Sequence, residues 1–435
     1  MKKYLRAGLC GMLLGLTLCG TAAAVQPEQT VSVRLNGQMV QFADGVKVVD
    51  GRTYLPFRGV FQTLGFEDSE ITFDSGTRTV RAHSPDLTVS MVIGEKRMRV
   101  TQNGKTQILS VDAPAFLDPV LGRAYVPARF VAEAAECRLG WDQENRTVIL
   151  DDVEKLLAEN QESYTILEAY LAFTRNYQTK NYDVRGSYTA EASLGADHVA
   201  LKGRYSMLMD NSGLFELEMP VKLEGSISGL DLPEEVTDDL YLSARGDRAE
   251  QTHYLHIGKK AGSHGEEGEW LTLNRQFMAE GRFPAQAANC VTWLNPDGSS
   301  QWEGTGRDYV NRLVYETAQA QPSVPASEIL ERINGLLGDS SFQRGKEGYV
   351  SQWTQEHIRI KLCLQHRREN IVGYALEILQ EPARRNAGVE LYTQLHEQEW
   401  DMTVTLVEQV GQYLRVSMDG TLEETMKRPE GYLPG

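Results

Sequence analysis

The 435-residue sequence has few cysteines, few histidines and a single long apolar run, which lies at its N-terminus. Two of its five cysteines lie in the first 24 residues, which leaves Cys137, Cys290 and Cys363. Three widely spaced cysteines exclude a disulfide framework, although any two of them could still pair, and they match no zinc-ligand spacing. Beyond the N-terminus, no apolar run reaches the roughly 20 residues that a transmembrane helix needs.

The first 24 residues, MKKYLRAGLCGMLLGLTLCGTAAA, have the pattern of a secretory signal peptide. A basic start precedes the apolar run, and Ala22 to Ala24 supply the small residues typical of a cleavage site. We therefore expect cleavage after Ala24 and a secreted or cell-surface protein. An uncleaved membrane anchor and lipidation at Cys19 are the alternatives, and only these two would attach the chain to a membrane.

Charge is distributed unevenly along the chain. Residues 31–150 contain 14 Lys and Arg against 14 Asp and Glu, whereas residues 151–435 carry a net charge of −18. A shift of this size indicates a domain boundary near residue 151. The acidic C-terminal part also makes nucleic acid and anionic membrane surfaces unfavourable partners.

One segment occurs twice, as DGRTYLPFRGVFQTLG from Asp50 and as LGRAYVPARFVAEAAE from Leu121. In each copy a short strand meets a proline, which disfavours helical angles in the preceding residue and suits the first turn of a helix. The apolar spacing that follows predicts a short helix. The recurring residues, 71 positions apart, are Gly51, Arg52, Tyr54, Pro56 and Arg58 in the first copy and Gly122, Arg123, Tyr125, Pro127 and Arg129 in the second.

The similarity extends to both sides of this segment. Asn-Gly dipeptides, which suit tight hairpin turns, precede each copy, and an aromatic residue followed by aspartate comes after each predicted helix. We expect two repeats, residues 31–86 and 87–152, each built as strand, turn, strand, short helix and strand. The corresponding pairs are Asn36-Gly37 with Asn103-Gly104, and Phe73-Asp74 with Trp141-Asp142.

These motifs resemble the N-terminal stalk domain of copper amine oxidases, a paired repeat common in exported bacterial proteins. The family pattern Gly-Arg-x-Tyr-Val-Pro-x-Arg, then a short helix, then Trp-Asp, is met between Gly122 and Asp142. The first copy departs from it at Leu55 and Phe73. The resemblance implies a small α+β module, residues 31–152, of antiparallel strands around short helices.

The same resemblance implies no cofactor and no catalysis, because the stalk of the oxidases carries neither the copper ion nor the cofactor-forming tyrosine. The catalytic part would need Thr-x-x-Asn-Tyr and a His-x-His copper pair. Here Thr174 lies one residue too close to Asn176-Tyr177, and the sequence contains no His-x-His. We therefore expect no amine oxidase activity.

Arg58 and Arg129 allow two interpretations. They could form a paired anion site, or each could hold its strand-to-helix corner through an intramolecular bond, with Asp74 and Asp142 as the partners. Recurrence in both copies favours the structural role, since each copy needs the same corner. We therefore interpret the recurring residues as structural and predict no catalytic, cofactor-binding or metal site among them.

Residues 153–435 form a second, acidic part of α+β character. Helical spacing predicts a long helix over Val153–Gln178 and two more over residues 307–319 and 325–337. Alternation of apolar and polar residues predicts antiparallel strands with one buried and one wet face. The predicted strands are residues 182–194, 199–209, 215–223, 357–364, 374–378, 389–395, 400–406 and 414–418.

This order of elements weakly resembles the lipoprotein-carrier fold, in which a curved sheet wraps helices and leaves an apolar groove. An ordinary filled core is the alternative. No nucleophile elbow, metalloprotease motif, phosphate loop or calcium loop occurs. His253 and His256 are the closest pair to a metal site, but their neighbours predict a strand, on which residues three apart point to opposite faces.

Three functions remain open for the C-terminal part. The first, which we favour, is a non-catalytic binding module presented by the stalk, with an envelope protein or a glycan as the partner. The second is a carrier of a lipid or another apolar ligand. The third is a hydrolase whose scattered site would draw on His253, His256 or His357.

Overall fold

The computed structural model describes most of the chain between residues 31 and 429. Its contacts divide the chain into two compact units. The N-terminal unit joins the residues up to Gln161 with Asn311–Arg332, and the C-terminal unit joins Glu162–Val310 with the residues from Ile333 onward. The predicted signal peptide with Cys19, as well as Asn103 and Cys290, lie outside the described residues. These are 31–85, 87–102, 104–194, 197–210, 214–220, 222–227, 230–231, 241–247, 252–258, 271–273, 304–346, 348–355, 357–368, 370–381, 388–409 and 412–429.

The N-terminal unit contains the two predicted repeats. Both units combine helices with sheets that are almost entirely antiparallel, so the chain has the predicted α+β fold. The first repeat comprises β1 (Ser32–Leu35), β2 (Gln38–Val40), β3 (Lys47–Val49), β4 (Arg52–Pro56), α1 (Phe57–Thr63), β5 (Ile71–Asp74) and β6 (Thr79–His83). The second comprises β7 (Leu87–Val92), β8 (Arg97–Gln102), β9 (Lys105–Ser110), β10 (Phe116–Leu117), β11 (Ala124–Pro127), α2 (Ala128–Ala134), β12 (Arg138–Asp142) and β13 (Thr147–Asp151), before α3 (Val153–Glu159).

The two copies of the repeated segment pair with each other. Strands β4 and β11 are antiparallel neighbours, with Leu55 opposite Val126 at the centre of the register. Both residues are fully buried. Because these equivalent strands are antiparallel and the equivalent residues Leu55 and Val126 lie opposite each other, an approximate twofold axis relates the two repeats at this point.

The hairpins of the two repeats also combine across the unit. The last hairpin of the second repeat joins the first hairpin of the first in the order β12-β13-β1-β2, and the complementary set forms β5-β6-β7-β8-β9. The β1–β13 pair is parallel, with Ser32 opposite Thr147. This differs from the purely antiparallel module expected from the family resemblance. The reason is topological: β1, the first strand of the first repeat, lies beside β13, the last strand of the second repeat, and no hairpin turn joins them.

The helices fill the core between these sheets with side chains of complementary size. At equivalent positions, α1 places Phe57, Gly59 and Phe61 where α2 places alanine, Phe130 and alanine. Phe61 and Phe130 are completely buried. The rings of Phe57 and Phe130 lie 6.5 Å apart across the two helices. The repeats have therefore diverged in size at the positions where they meet.

A segment from much later in the sequence packs on the second repeat. Residues 311–332 come from two helices, α5 (Gly306–Ala320) and α6 (Ala326–Leu337), both close to the predicted bounds. Arg138 donates to the backbone carbonyls of Pro322 and Val324 at 3.1 and 2.7 Å. Its register partner, the buried Asp151, accepts from the backbone N–H of Ala326 at 2.8 Å. The predicted N-terminal module, which ends at residue 152, does not include this segment.

The single helix predicted over Val153–Gln178 is wrong. Two helices, α3 and α4 (Thr165–Gln178), are separated by residues 160–164. The carboxylate of Asp339 caps α4 by accepting from the backbone N–H groups of Thr165 and Ile166, each at 2.9 Å. Apolar residues keep helical spacing across the gap, which is why the pattern alone suggested continuity.

The C-terminal unit is built on one large antiparallel sheet. Its described strands run in the order β21-β20-β19-β16-β15-β14-β28-β27-β26-β25-β24-β23-β22, with β17 and β18 branching from β15. They are β14 (Tyr182–Leu194), β15 (Asp197–Met209), β16 (Leu214–Pro220), β17 (Lys222–Ile227), β18 (Leu230–Asp231), β19 (Tyr241–Asp247), β20 (Thr252–Gly258), β21 (Leu271–Leu273), β22 (Gln343–Arg344), β23 (Gly348–Gln355), β24 (Ile358–Arg367), β25 (Asn370–Gln380), β26 (Gly388–His396), β27 (Glu399–Gln409) and β28 (Gln412–Glu424). Seven of the eight strands predicted from alternation are present, with bounds that match or shift by a few residues. The single strand predicted over residues 215–223 is wrong, because this stretch falls in two strands, β16 and β17, and β17 branches off the main sheet order.

The two faces of this sheet differ in polarity. On the apolar face, Ile360, Leu362 and Leu364 are buried against aromatic side chains of α4, including Tyr170 and Phe173. The ring of Tyr170 contacts that of Tyr374, with centroids 5.7 Å apart. The opposite face carries the polar members of the alternating strands. Among the described residues, no helix has both the length and the hydropathy to cross a bilayer.

Candidate functional site

The recurring residues of the N-terminal unit hold its two repeats together. Gly51 and Gly122 both adopt positive φ, 71° and 60°, a backbone conformation that favours glycine over residues with a Cβ. Each places the following arginine against the other repeat. Arg52 pairs with Asp112 at 3.0 Å, and Arg123 pairs with Asp44 at 3.5 Å. The two ion pairs are equivalent under the approximate twofold axis.

The recurring tyrosines also contact the other repeat or lie beside it. Tyr54 and Tyr125 are buried, and the hydroxyl of Tyr125 donates to the backbone carbonyl of Asp44 at 2.5 Å. The ring of Phe116 stacks on Tyr125 and meets Tyr54 edge-on, with centroids 5.5 and 5.0 Å apart. Burial raises the pKa of both phenols, which stay neutral. These tyrosines are packing residues within the module.

The prolines and the second arginines lie at the corners between strand and helix. Pro56 and Pro127 are the residues that precede α1 and α2. Arg58 donates to the carboxylate of Asp68 at 2.5 Å and to the carbonyl of Ile71 at 3.0 Å. It therefore makes the intramolecular bonds that the structural interpretation requires. Arg129 is exposed, and its charge lowers the pKa of Asp112 after the larger effect of the Arg52 hydrogen bond.

Asp74 and Asp142 have a different role from the one expected, since neither is the partner of a corner arginine. Each caps a hairpin turn through its carboxylate. Asp74 accepts from the backbone N–H of Gly76 at 2.8 Å, and Asp142 accepts from that of Glu144 at 3.0 Å. Aspartate side chains are short enough to accept from backbone N–H groups of their own turn, which explains this role. The carboxylate that pairs with Arg58 is therefore that of Asp68. The aromatic residues just before them, Phe73 and Trp141, are partly exposed.

Cys137 is half-buried within this module, and its thiol donates to the carbonyl of Ala135 at 3.5 Å. Burial, followed by the charges of Asp152 and Asp151, raises the pKa of the thiol to about 12. We expect iodoacetamide at pH 8 to alkylate it about a thousandfold more slowly than an unperturbed thiol, because only the thiolate reacts. Peptide mass spectrometry of the native chain and of the chain in urea measures this ratio. Equal rates in both conditions would contradict it.

A polar groove lies on the wet face of the C-terminal sheet. It has a volume of about 750 Å³ and is lined by residues of β14, β24, β25, β26, β27 and β28. Strand register places the central residues side by side: Gln394 faces Asp401, which faces Asp419, and His396 faces Glu399. A second hollow of about 710 Å³ adjoins it and shares Arg185 and Asp419.

Hydrogen bonds orient the groove side chains. The amide of Gln394 donates to Asp401, and His396 bonds to Gln365 through its Nδ1 atom. Asp419 accepts from the Ser187 hydroxyl at 2.5 Å. These bonds hold amide, imidazole and carboxylate groups in fixed orientations along the groove, which suits the recognition of polar ligands.

Carboxylates outnumber cations in the groove. Asp401 and Asp419 occupy directly opposed positions on β27 and β28, an arrangement that normally disfavours two like charges. Arg185 lies nearby and is held by a bidentate pair with Asp183, at 3.1 and 3.0 Å. This hydrogen bond is the largest cause of a lowered pKa for Asp183. Within the described ranges, no group of His, Cys, Asp and Glu side chains could hold a metal ion.

The histidines named from the sequence do not gather in this groove. His357 is exposed in the turn before β24. His253 and His256 lie in β20, so their neighbourhood is a strand, as predicted. Sequence reasoning missed the groove residues because they are ordinary polar members of alternating strands, and only the register of distant strands brings them together.

Comparison with known proteins concerns the N-terminal unit. No curated protein matches the chain. The family model of the copper amine oxidase N-terminal domain matches residues 34–150. The match covers about a quarter of the chain. It ends at residue 150, one residue before the end of β13, the last strand of the second repeat. The resemblance inferred from the repeated Gly-Arg-x-Tyr segment is thereby confirmed for these residues.

Proposed function

We propose that the chain is an exported, non-catalytic binding protein in which the stalk-type module presents the C-terminal unit, and that the polar groove of that unit binds a glycan. The groove and its oriented amide, imidazole and carboxylate groups carry this proposal. Export rests on the N-terminal sequence. The non-catalytic role rests on the sequence, which lacks the oxidase spacing around Asn176-Tyr177, the His-x-His pair and the other catalytic motifs considered above.

The chemistry of the lining favours a glycan among the three partner classes considered. Sugar hydroxyls both donate and accept, so they suit a surface where amide, imidazole and carboxylate groups alternate. Gln394 and Asp401 offer such a combination on neighbouring strands. An apolar ligand would leave these polar groups without hydrogen bonds, which costs free energy.

The apolar face of the sheet gives less support to the carrier alternative. Its described residues pack against α4 and α6, and Leu336 is buried together with Ile360 and Leu364. A lipid there would have to displace these side chains. The polar groove is therefore the better candidate for a binding surface.

The glycan proposal is tested by titrating the full chain with soluble chitin oligosaccharides and cell-wall muropeptides. We expect binding that Gln394→Ala and Asp401→Ala each weaken by about tenfold or more, because each loses a hydrogen bond that involves a charged group. Isothermal titration calorimetry measures the affinities.

The control is Glu390→Ala, which changes an exposed carboxylate on the same strand and the same face, outside the groove. Its affinity should equal that of the unaltered chain. Loss of binding in all three variants, or in none, would remove the groove from the proposal. No binding by the unaltered chain would reject the glycan as its ligand.

A further inference from the structure

The five-stranded sheet of the N-terminal unit has one covered and one open face. Along β6, β7 and β8, buried residues alternate with exposed or partly exposed ones. Val80, Val89 and Met98 point into the core. The intervening residues, including Arg81 and Arg99, therefore form the open face.

This open face is basic, although the chain as a whole carries a net charge of −16. The segment from Gly76 to Ser110, which contains β6 to β9, has six Lys and Arg against two Asp and Glu. Three of its arginines, Arg81, Arg97 and Arg99, alternate with buried residues and are exposed. The excess of cations on a single sheet face is a local feature of an otherwise acidic protein.

Two of these arginines are available for an external anion. Arg97 pairs with Glu95 at 3.4 Å, whereas Arg81 and Arg99 form no ion pair with any described residue. Register places Ser90 directly between them, opposite Arg81 on one side and Arg99 on the other. Since neighbouring strands lie about 4.8 Å apart, the two arginine Cα atoms are about 10 Å apart. By register, the side chains of both arginines and of Ser90 lie on the same face of the sheet.

Hydroxyl groups lie on the same face near this pair, and the exposed Ile108 lies opposite Arg99 on β9. Thr88, Thr101 and Thr106 follow one another across β7, β8 and β9. The side chains of Thr101 and Thr106 bond to each other at 2.8 Å. His83 bonds to Thr88 at the same end. Two carboxylates, Asp74 and Glu95, lie at the margins, the first already engaged by its own turn.

The equivalent four-stranded sheet, β12-β13-β1-β2, shows that this basic face is specific to one of the two sheets. Ile149 stands where the first repeat has Arg81, 68 residues earlier, and it is buried. Gly140, which replaces Thr72, lets the carbonyl of Pro322 approach closely. The outer face of that sheet is thus taken up by residues 311–332, while the five-stranded sheet presents arginine and hydroxyl groups.

We propose that the open face of the five-stranded sheet binds a linear phosphate polymer. Guanidinium groups recognise phosphate oxygens through paired hydrogen bonds, and hydroxyl groups donate to the same oxygens. Register places no Phe, Tyr or Trp residue on the described part of this face, so the stacking platform of such rings typical of proteins that bind single-stranded nucleic acid is missing. A phosphate polymer without bases therefore fits better. This site is separate from the glycan groove and does not depend on it.

The test is titration of the full chain with long-chain inorganic polyphosphate at several salt concentrations. We expect binding that weakens as salt rises, because counterions are released from the polymer. The double variant Arg81→Gln and Arg99→Gln should lose about tenfold or more in affinity, and the slope of log affinity against log salt should fall by about two. Glutamine keeps the strand polar, and circular dichroism checks that the sheet is intact.

Arg146→Gln is the matched control, since Arg146 is an exposed arginine in a turn of the second repeat. Its binding should equal that of the unaltered chain. Equal binding by the double variant would overturn the proposal, and so would the absence of binding at low salt. Tighter binding to single-stranded DNA than to polyphosphate of the same charge would assign the face to nucleic acid instead.

Discussion

Replacing Arg138 with methionine is expected to destabilise the N-terminal unit by about 3–5 kcal/mol, because it removes the ion-pair partner of the buried Asp151 and leaves that carboxylate with the weaker effect of Arg34. The carboxylate of Asp151 is 1% exposed, and burial raises its pKa. The same change frees the carbonyls of Pro322 and Val324. Native-state hydrogen exchange, read by mass spectrometry on peptides from β12, β13 and residues 321–328, measures the effect.

The control is Arg123→Met, which removes an exposed arginine from its pair with Asp44. Pairs of this kind contribute less than about 1 kcal/mol, so exchange should change little. Equal effects of Arg123→Met and Arg138→Met would show that burial of the Arg138–Asp151 pair has no special weight. If Arg138→Met left the protection of residues 321–328 unchanged, the Arg138–Asp151 pair would not be what holds this segment in place.

Replacing Phe130 with alanine is expected to cost about 3–5 kcal/mol, because it opens a cavity where the two repeats meet. Phe130 is fully buried, and its ring faces Phe57. The corresponding position in the first repeat is Gly59, so no equivalent ring can fill the space. For a unit of this size the loss should lower the unfolding temperature by about 10 °C, which differential scanning calorimetry measures.

Phe73→Ala provides the comparison, since Phe73 is 43% exposed on the edge strand β5. Its removal should shift the transition by about 3 °C or less. A similar shift for both variants would mean that the cavity at Phe130 collapses. It would also mean that the size complementarity of α1 and α2 adds little to stability.

The repeated segment allowed the fold of the N-terminal unit to be predicted from the sequence. Gly51 and Gly122, with their prolines and arginines, predicted two equivalent corners, and both are present. The alternation in residues 182–194 likewise predicted β14 with the observed bounds. These predictions succeed because glycine, proline and alternating polarity act within a few residues of the chain.

The candidate sites depended on long-range pairing. Gln394 and Asp419 are unremarkable in sequence, and so are Arg81 and Arg99. The groove residues come together because β14 pairs with β28, more than 200 residues later. The basic face exists because β7 lies between β6 and β8, which places the two arginines on either side of Ser90.

The sequence alone was enough to predict local structure: the two repeats, their strand-to-helix corners and most strands of the C-terminal sheet. Which of the two outer sheets of the N-terminal unit is covered depends on tertiary contacts. Arg138 and Asp151 bond to a segment about 180 residues away, whereas the side chain of Arg81 forms no ion pair with the described residues. The physical reason is that local propensities act along the chain, whereas burial and charge pairing depend on which distant residues meet.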